Sequence, residues 1–499
     1  METLANLELG FSVALTLANI AYCFIGVLLG TLVGVLPGLG PVASVAMLLP
    51  ITFTLPPDSA LIMLAGIYYG AQYGGSTTAI LVNIPGESSS VVTAIDGYRM
   101  ARAGRAGPAL GIAAIGSFFA GTISTIAIAC FAPVLSDLAL EFGPAEYFSL
   151  MVFGLIAAVV LARGSLLKAI GMVVLGLLLG LVGTDVNSGT ARYAMGFPEL
   201  RDGIGFIALS MALFGIAEVA CNLEAGQDRN VTAQRIGRVL PSLNDLRISA
   251  PSILRGTGLG AVLGVLPGGG ALLASFASYM LEKKVARPPR TFGHGDIRGV
   301  AGPESANNAG AQTSFIPMIT LGIPSNPTMA LMIGAMMIQG IAPGPTVMSE
   351  RPGLFWGLIA SMWVGNLMLL VLNLPLVGLW IRLLKVPYRL LFPAILLFCV
   401  IGAYSSSNSV FDIYLMGALA VLGYVFVKLD CEPAPLILGF ILGPMMEENL
   451  RRAMLISRGH AETFVTQPIS LGFLIASVAL LAVLIVPAIR STREEALQE

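Results

Sequence analysis

Charge is what this sequence has least of. Only 11% of its 499 residues are Asp, Glu, Lys or Arg, against ~25% in soluble domains, and so few charges cannot cover a water-facing surface of that size. The shortage excludes a cytosolic enzyme and a disordered chain. The balance of 27 basic and 28 acidic residues, net −1, offers phosphates no electrostatic footprint, so no nucleic acid is expected as a partner. Cysteine is scarce too. Cys23, Cys130, Cys221, Cys399 and Cys431 form no CxxC and stand in or beside apolar runs, which excludes a disulfide scaffold and suits small buried hydrophobes. HExxH, GxSxG and GxxxxGK[ST] are all absent, so neither hydrolytic chemistry nor ATP-driven pumping is expected, and the protein is not read as an enzyme. The opening METLANLELG holds two Glu and no base, where a cleavable signal peptide needs a positive start.

Apolar residues and glycine fill the space. Hydrophobic residues make up 56% of the chain, with 58 Gly and 30 Pro, and mean hydropathy is +0.86. Glycine inside apolar runs lets membrane helices pack backbone to backbone. The chain therefore reads as an all-α polytopic membrane protein with about 10–12 transmembrane helices, since a bilayer core takes roughly 20 apolar residues per crossing. Several runs are too short or too rich in Gly and Pro to be plain spans. They suggest broken or re-entrant half-helices, which are tolerated only where they line a cavity or pack in protein.

The chain also repeats itself. GVLPGLG at 34–40 returns as GVLPGGG at 264–270, and NIPGESS at 83–89 is followed in the same order by GIPSNPT at 322–328. No Lys or Arg precedes Arg99, whereas Arg99, Arg102 and Arg105 crowd the next loop. In the second half the signs reverse. Arg229, Arg235, Arg238 and Arg247 precede the second LPG motif, Lys283, Lys284, Arg287 and Arg290 follow it, and the loop at about 337–349 has no base. By the positive-inside rule, equivalent loops fall on opposite faces. That pattern predicts two inverted-topology repeats, 1–221 and 251–499, joined by a cytoplasmic linker at 222–250.

Transporter sites lie where broken helices aim backbone N–H and C=O groups at a substrate near mid-bilayer. Glycine permits close approach and unusual φ, and proline frees a carbonyl. Substrate contact is accordingly expected at Gly38, Gly40, Asn83, Pro85, Gly86, Ser88 and Ser89 in the first half. The counterparts are Gly268, Gly270, Asn308, Pro324, Ser325, Asn326 and Thr328. Helix N-termini suit carboxylates, whereas unwound carbonyls with Asn and Thr side chains suit Na⁺. Ion coupling is expected at Ser76, Thr77, Glu87, Glu304, Asn307 and Thr313, with Na⁺ at the same tips or H⁺ as the coupling ion, and no cofactor. Packing glue between helices is the plainer role for any one of these polar residues.

The segments YYGAQYGGSTTAILVNIPGESSSVVTAIDGYRMARAG (68–104) and ESANNAGAQTSFIPMITLGIPSNPTMALMIGAM (304–336), with the two LPG motifs, resemble the large membrane subunit of bacterial tripartite tricarboxylate transporters, the TctA family. Two departures are Pro324–Ser325–Asn326, where the family more often has Pro-Gly, and Gly70–Ala71, where a Gly pair is usual. The resemblance implies an inner-membrane secondary transporter that imports carboxylates with Na⁺ or H⁺. It also implies a small membrane subunit and a periplasmic solute-binding protein as partners. A carrier needing no binding protein and a passive channel are the alternatives. Smooth, small-residue tips favour an elevator movement against the remaining helices, with rocking of whole halves as the other route.

Overall fold

The computed structural model of the chain describes residues 2–36, 38–162, 165–185, 188–224, 239–266, 270–286, 291–383 and 388–485. Among them nearly everything is helix. The one sheet is a two-residue antiparallel pair, Gly183–Thr184 with Ala191–Arg192, in the register Gly183↔Arg192.

Among the described residues, five helical stretches are long and apolar enough to cross a membrane: Leu17–Gly34, Ser88–Leu138, Phe206–Glu224, Pro352–Asn373 and Val410–Lys428. Two helices outside these five, both carrying polar side chains along their length, lie innermost. Pro57–Val82 is buried without interruption from Ser59 to Ile80, and Arg298–Thr313 from Gly299 to Thr313. Polar side chains are costly against lipid, so the helices that carry them go to the centre and the apolar ones surround them. Cysteine follows the same division: Cys23 and Cys399 are buried, but Cys130 is exposed on an outer apolar helix, contrary to the expectation of a buried hydrophobe.

Glycines four residues apart bring each polar helix against its partner. In Leu17–Gly34, a Cβ at Gly26, Gly30 or Gly34 would collide with the carbonyl oxygens of Met63, Ile67 and Ala71. In Leu243–Leu263, a Cβ at Gly256, Gly260 or Gly264 would collide with those of Gly302, Ala306 and Gly310. Both halves thus use one small-residue ladder to seat a polar helix.

Each ladder helix stops at its LPG motif, and in each half a helix further on stops at a left-handed residue. Gly38 turns the chain at φ 83°, and Gly40, extended, leads into Pro41–Leu48 with Pro41 in its first turn. Pro57–Val82 ends on Asn83 at φ 57°. In the second half Phe315–Leu321 ends on Gly322 at φ 71°, and Asn326 caps Pro327–Ile338. Ala217–Glu224 and Leu243–Leu263 reach into the expected linker 222–250 from either side, and residues 225–238 of it lie outside the described residues.

Candidate functional site

A cavity of about 370 Å³ opens where these interruptions meet. Gly40–Ala43, Gly86–Ser89, Gly270–Leu272 and Asn326–Thr328 all line it, as do Glu432, Pro433 and Ala434. Four of these five segments open a helix, at Pro41, Gly270, Pro327 and Ala434, and the fifth enters Val91–Met100 through a short 3₁₀ turn at Ser88–Ser90. The first N–H groups of a helix have no intrahelical partner and carry the positive end of its dipole. Converging helix starts therefore bring positive dipole ends to the cavity, although Pro41, Pro327 and Pro435 carry no N–H and the Met329 N–H is taken by the Asn326 cap. Among the described residues no Lys, Arg or His lines this cavity, and the ionisable lining groups are Tyr68, Glu87, Glu218 and Glu432.

Glu87 ties the halves together at the cavity wall. Asn307 Nδ2 donates to its Oε1 at 2.8 Å. The Gln72 amide, with its NH₂ toward the carboxylate, donates to Oε2 at 2.6 Å, and its oxygen accepts from the Tyr68 hydroxyl at 3.2 Å. Asn326 Oδ1 accepts from the Met329 N–H at 3.0 Å, so this lining residue is also an N-cap.

The residues expected at the tips separate into three groups. Gly40, Gly86, Ser88, Ser89, Gly270, Asn326, Thr328 and Glu87 line the cavity, and Asn307 reaches it through Glu87. Glu304, Ser76 and Thr77 turn to a separate small chamber, where Thr93 donates to the Glu304 carboxylate. Asn308 points the same way and donates to Ser117 Oγ at 2.6 Å. The remainder support the framework. Gly38 accepts through its carbonyl from Asn222 Nδ2 at 3.2 Å, Ser325 Oγ donates to the Ser314 carbonyl at 3.2 Å, and Thr313 packs on Gly264. Asn83 is exposed, and neither it, Pro85 nor Pro324 lines the cavity. Gly268, with Pro37 and Pro267, lies outside the described residues.

Tyr68, Gln72, Phe214, Glu218 and the 432–434 segment are lining residues that sequence reasoning did not select. Gln72 had a signal, an amide deep in an apolar helix. Pro433–Ala434 had only the proline at a helix start.

Beyond the helix ends, Asp96 fastens the first tip to the second half. Its carboxylate accepts from the Tyr279 hydroxyl at 2.9 Å and from the backbone N–H groups of Gly293, Gly295 and Asp296 at 3.1, 2.8 and 2.9 Å. In that loop, burial pushes the Asp296 carboxyl up, but hydrogen bonds from Arg298 and Thr291 outweigh it and hold the group below its ordinary range. Arg298 Nη2 lies 2.6 Å from Asp296 Oδ2.

Residues 20–438 match the family profile described as the tripartite tricarboxylate transporter TctA family. An Agrobacterium vitis protein described as an uncharacterized 52.8 kDa protein in the TAR-I ttuC′ 3′ region is 58% identical over 499 residues, covering 100% of this chain and 99% of that protein. A second A. vitis protein, from the TAR-II ttuC′ 3′ region, is 58% identical over 240 residues, 48% of this chain and 99% of its own length. No solved structure matches the chain.

Proposed function

Because the chain belongs to the tripartite tricarboxylate transporter TctA family, a family of transporters and not of enzymes, we propose that it is the translocating subunit of an ion-coupled carboxylate importer. It is a multi-pass inner-membrane protein. The observation that carries the reading is the cavity itself: helix starts from both halves converge on one space that no basic side chain lines among the described residues. Backbone N–H groups and dipole ends favour a carboxylate there. The carboxylates of Glu87 and Glu218 in the same wall oppose an anion, so loading calls for a cation or proton to enter with it. Gly40, Gly86, Ser88, Ser89, Gly270, Asn326 and Thr328 are the substrate-contact residues on this reading.

The two glycine ladders, with left-handed stops at Asn83 and Gly322, support pairing 1–221 with 251–499 as inverted repeats of about 10–12 crossings in all. An elevator movement of the tips draws support from the cavity's position. Its lining combines the tip segments with Phe214, Glu218, Val427 and Glu432, which lie on other helices and loops. A small membrane subunit and a periplasmic solute-binding protein are the partners that the family context brings.

Reconstituted uptake with the cognate binding protein, varying Na⁺, pH and membrane potential separately, tests this function. Uphill carboxylate accumulation that needs both the binding protein and one ion gradient is expected. Downhill flux indifferent to every gradient would make the protein a channel. Cysteine labelling from outside should reach position 58 and not 284; the reverse would end the inverted-repeat assignment.

A further inference from the structure

The small chamber beside Glu304 has a chemistry of its own. It holds about 20 Å³, and its polar walls are Tyr73, Ser76, Thr77, Ser117, Glu304 and Asn373, the rest being aliphatic. That volume admits one water-sized particle. Its walls present acceptors. Ser76 and Thr77 already donate to the carbonyls of Gln72 and Tyr73 at 3.3 and 3.1 Å, and Tyr73 donates to Asn366 Oδ1 at 3.3 Å. Asn373 uses its Nδ2 on the Leu369 carbonyl at 3.0 Å, which leaves Oδ1 as the atom free to face the chamber. That oxygen is buried without a partner, in a residue only 8% exposed. Glu304 is 1% exposed, and among the described residues no Lys, Arg or His lines the chamber.

The Thr93 hydroxyl donates to the Glu304 carboxylate but brings no positive charge, and a buried carboxylate without one is costly. Asn373 is also the last residue of Pro352–Asn373, and the end of a helix favours a cation. We propose that this chamber is a binding site for one small monovalent cation, Na⁺ by its preference for oxygen ligands, held by the Glu304 carboxylate and the oxygens of Asn373, Ser117 and Ser76. A water would bring two donors but no charge. A proton on Glu304 would also cancel the charge and would offer one O–H donor; the response of the melting temperature to Na⁺ and to pH separates the two.

The site is placed to act on the carboxylate cavity. Gln72 and Ser76 are one turn apart on one helix, as are Glu304 and Asn307 on another. Gln72 and Asn307 hold Glu87, while Ser76 and Glu304 line the chamber. A cation that draws Ser76 and Glu304 together therefore sets the two helices that carry the cavity wall. This step from binding to coupling rests on the proposed transport function; the site itself does not.

The test is ²²Na⁺ binding to the purified full chain at fixed pH, with choline holding ionic strength constant and no carboxylate present. Saturable binding of one Na⁺ per chain is expected, accompanied by a Na⁺-dependent rise in melting temperature. Asn373→Leu, which keeps bulk but removes the oxygen, and Glu304→Gln should each weaken binding at least tenfold, whereas Asn373→Asp should retain it. The retained binding of Asn373→Asp guards against mere misfolding at this position. Absence of saturable binding, unchanged affinity in Asn373→Leu, or a melting temperature that follows pH but not Na⁺ would overturn the site. Na⁺ binding that persists while reconstituted uptake ignores Na⁺ would instead uphold the site and defeat its coupling to transport.

Discussion

Asn326 performs two tasks that one substitution can separate. Its side-chain oxygen caps the Pro327–Ile338 helix, and the residue lines the cavity. Asp is as good an N-cap as Asn, and its charge suits the positive end of a helix. Asn326→Asp should therefore fold normally and melt at or above the wild-type temperature. For a carboxylate in the cavity the same change is hostile. At a separation of about 5 Å and an effective dielectric of about 20, two like charges repel by roughly 3 kcal/mol, which lowers affinity about 200-fold. Asn326→Ala should do the reverse. It loses the cap, about 1 kcal/mol of stability, but only one neutral hydrogen bond to the ligand, about 0.5–1.5 kcal/mol or roughly a 2- to 13-fold loss of affinity. The expected order of stability is Asp at or above Asn, then Ala; the expected order of affinity is Asn, then Ala, then Asp. Melting curves give the first order. Equilibrium binding of the labelled carboxylate that the reconstituted system transports gives the second. If Asn326→Asp binds within threefold of wild type, the helix starts do not face a bound anion and the carboxylate reading fails.

Three further outcomes are expected. Asp96→Asn places an NH₂ group among four donors, each charge-assisted bond contributing about 1.5–3 kcal/mol. It should lower the melting temperature and open the 291–297 loop to protease; unchanged protection would show that the clasp does not hold the halves. Gly260→Ala drives a Cβ into the Ala306 carbonyl and should cost about 1–3 kcal/mol, whereas nothing stands near Gly258, so Gly258→Ala should be neutral or stabilising by up to about 1 kcal/mol. Equal melting temperatures would refute the ladder. Asp296 is held below its ordinary range when folded, so its stabilisation is full above about pH 4, the unfolded carboxyl value, and is lost as pH falls through the lower folded value. The gap in melting temperature between wild type and Asp296→Asn should thus be constant near neutrality and close below pH 4; a gap that widens there would contradict the ion pair.

Much of the site is visible in the sequence because its chemistry is out of place there. Asn, Gln, Ser and Glu inside long apolar runs stand out, and so do paired LPG and IPx breaks. What a single chain does not display is the side of the helix each residue occupies relative to a distant partner. Asn307 and Asn308 are neighbours, yet Asn307 turns to Glu87 and Asn308 to Ser117. Successive residues on a helix diverge by about 100°, so one faces the cavity and the other the chamber. Thr313 carries the same chemistry but meets the glycine ladder. Asn83 looks like a ligand and is a left-handed stop instead. Asn373 ends an apolar helix that reads as a plain span, and only the chamber gives it a role.

Composition by itself determined that the protein is a helical membrane protein, since so little charge leaves no other solvent in which its surface is stable. The glycines at intervals of four and the proline breaks likewise fix where helices approach and stop, because those effects are local to the backbone. The meeting of helix starts was decided only in three dimensions. Residues 40, 86, 270, 326 and 434 share one cavity because two glycine ladders draw polar helices to the centre, and Glu87 and Asn307, 220 positions apart, then close across it. Contacts at that separation depend on how whole helices pack, and no local rule of the chain encodes them.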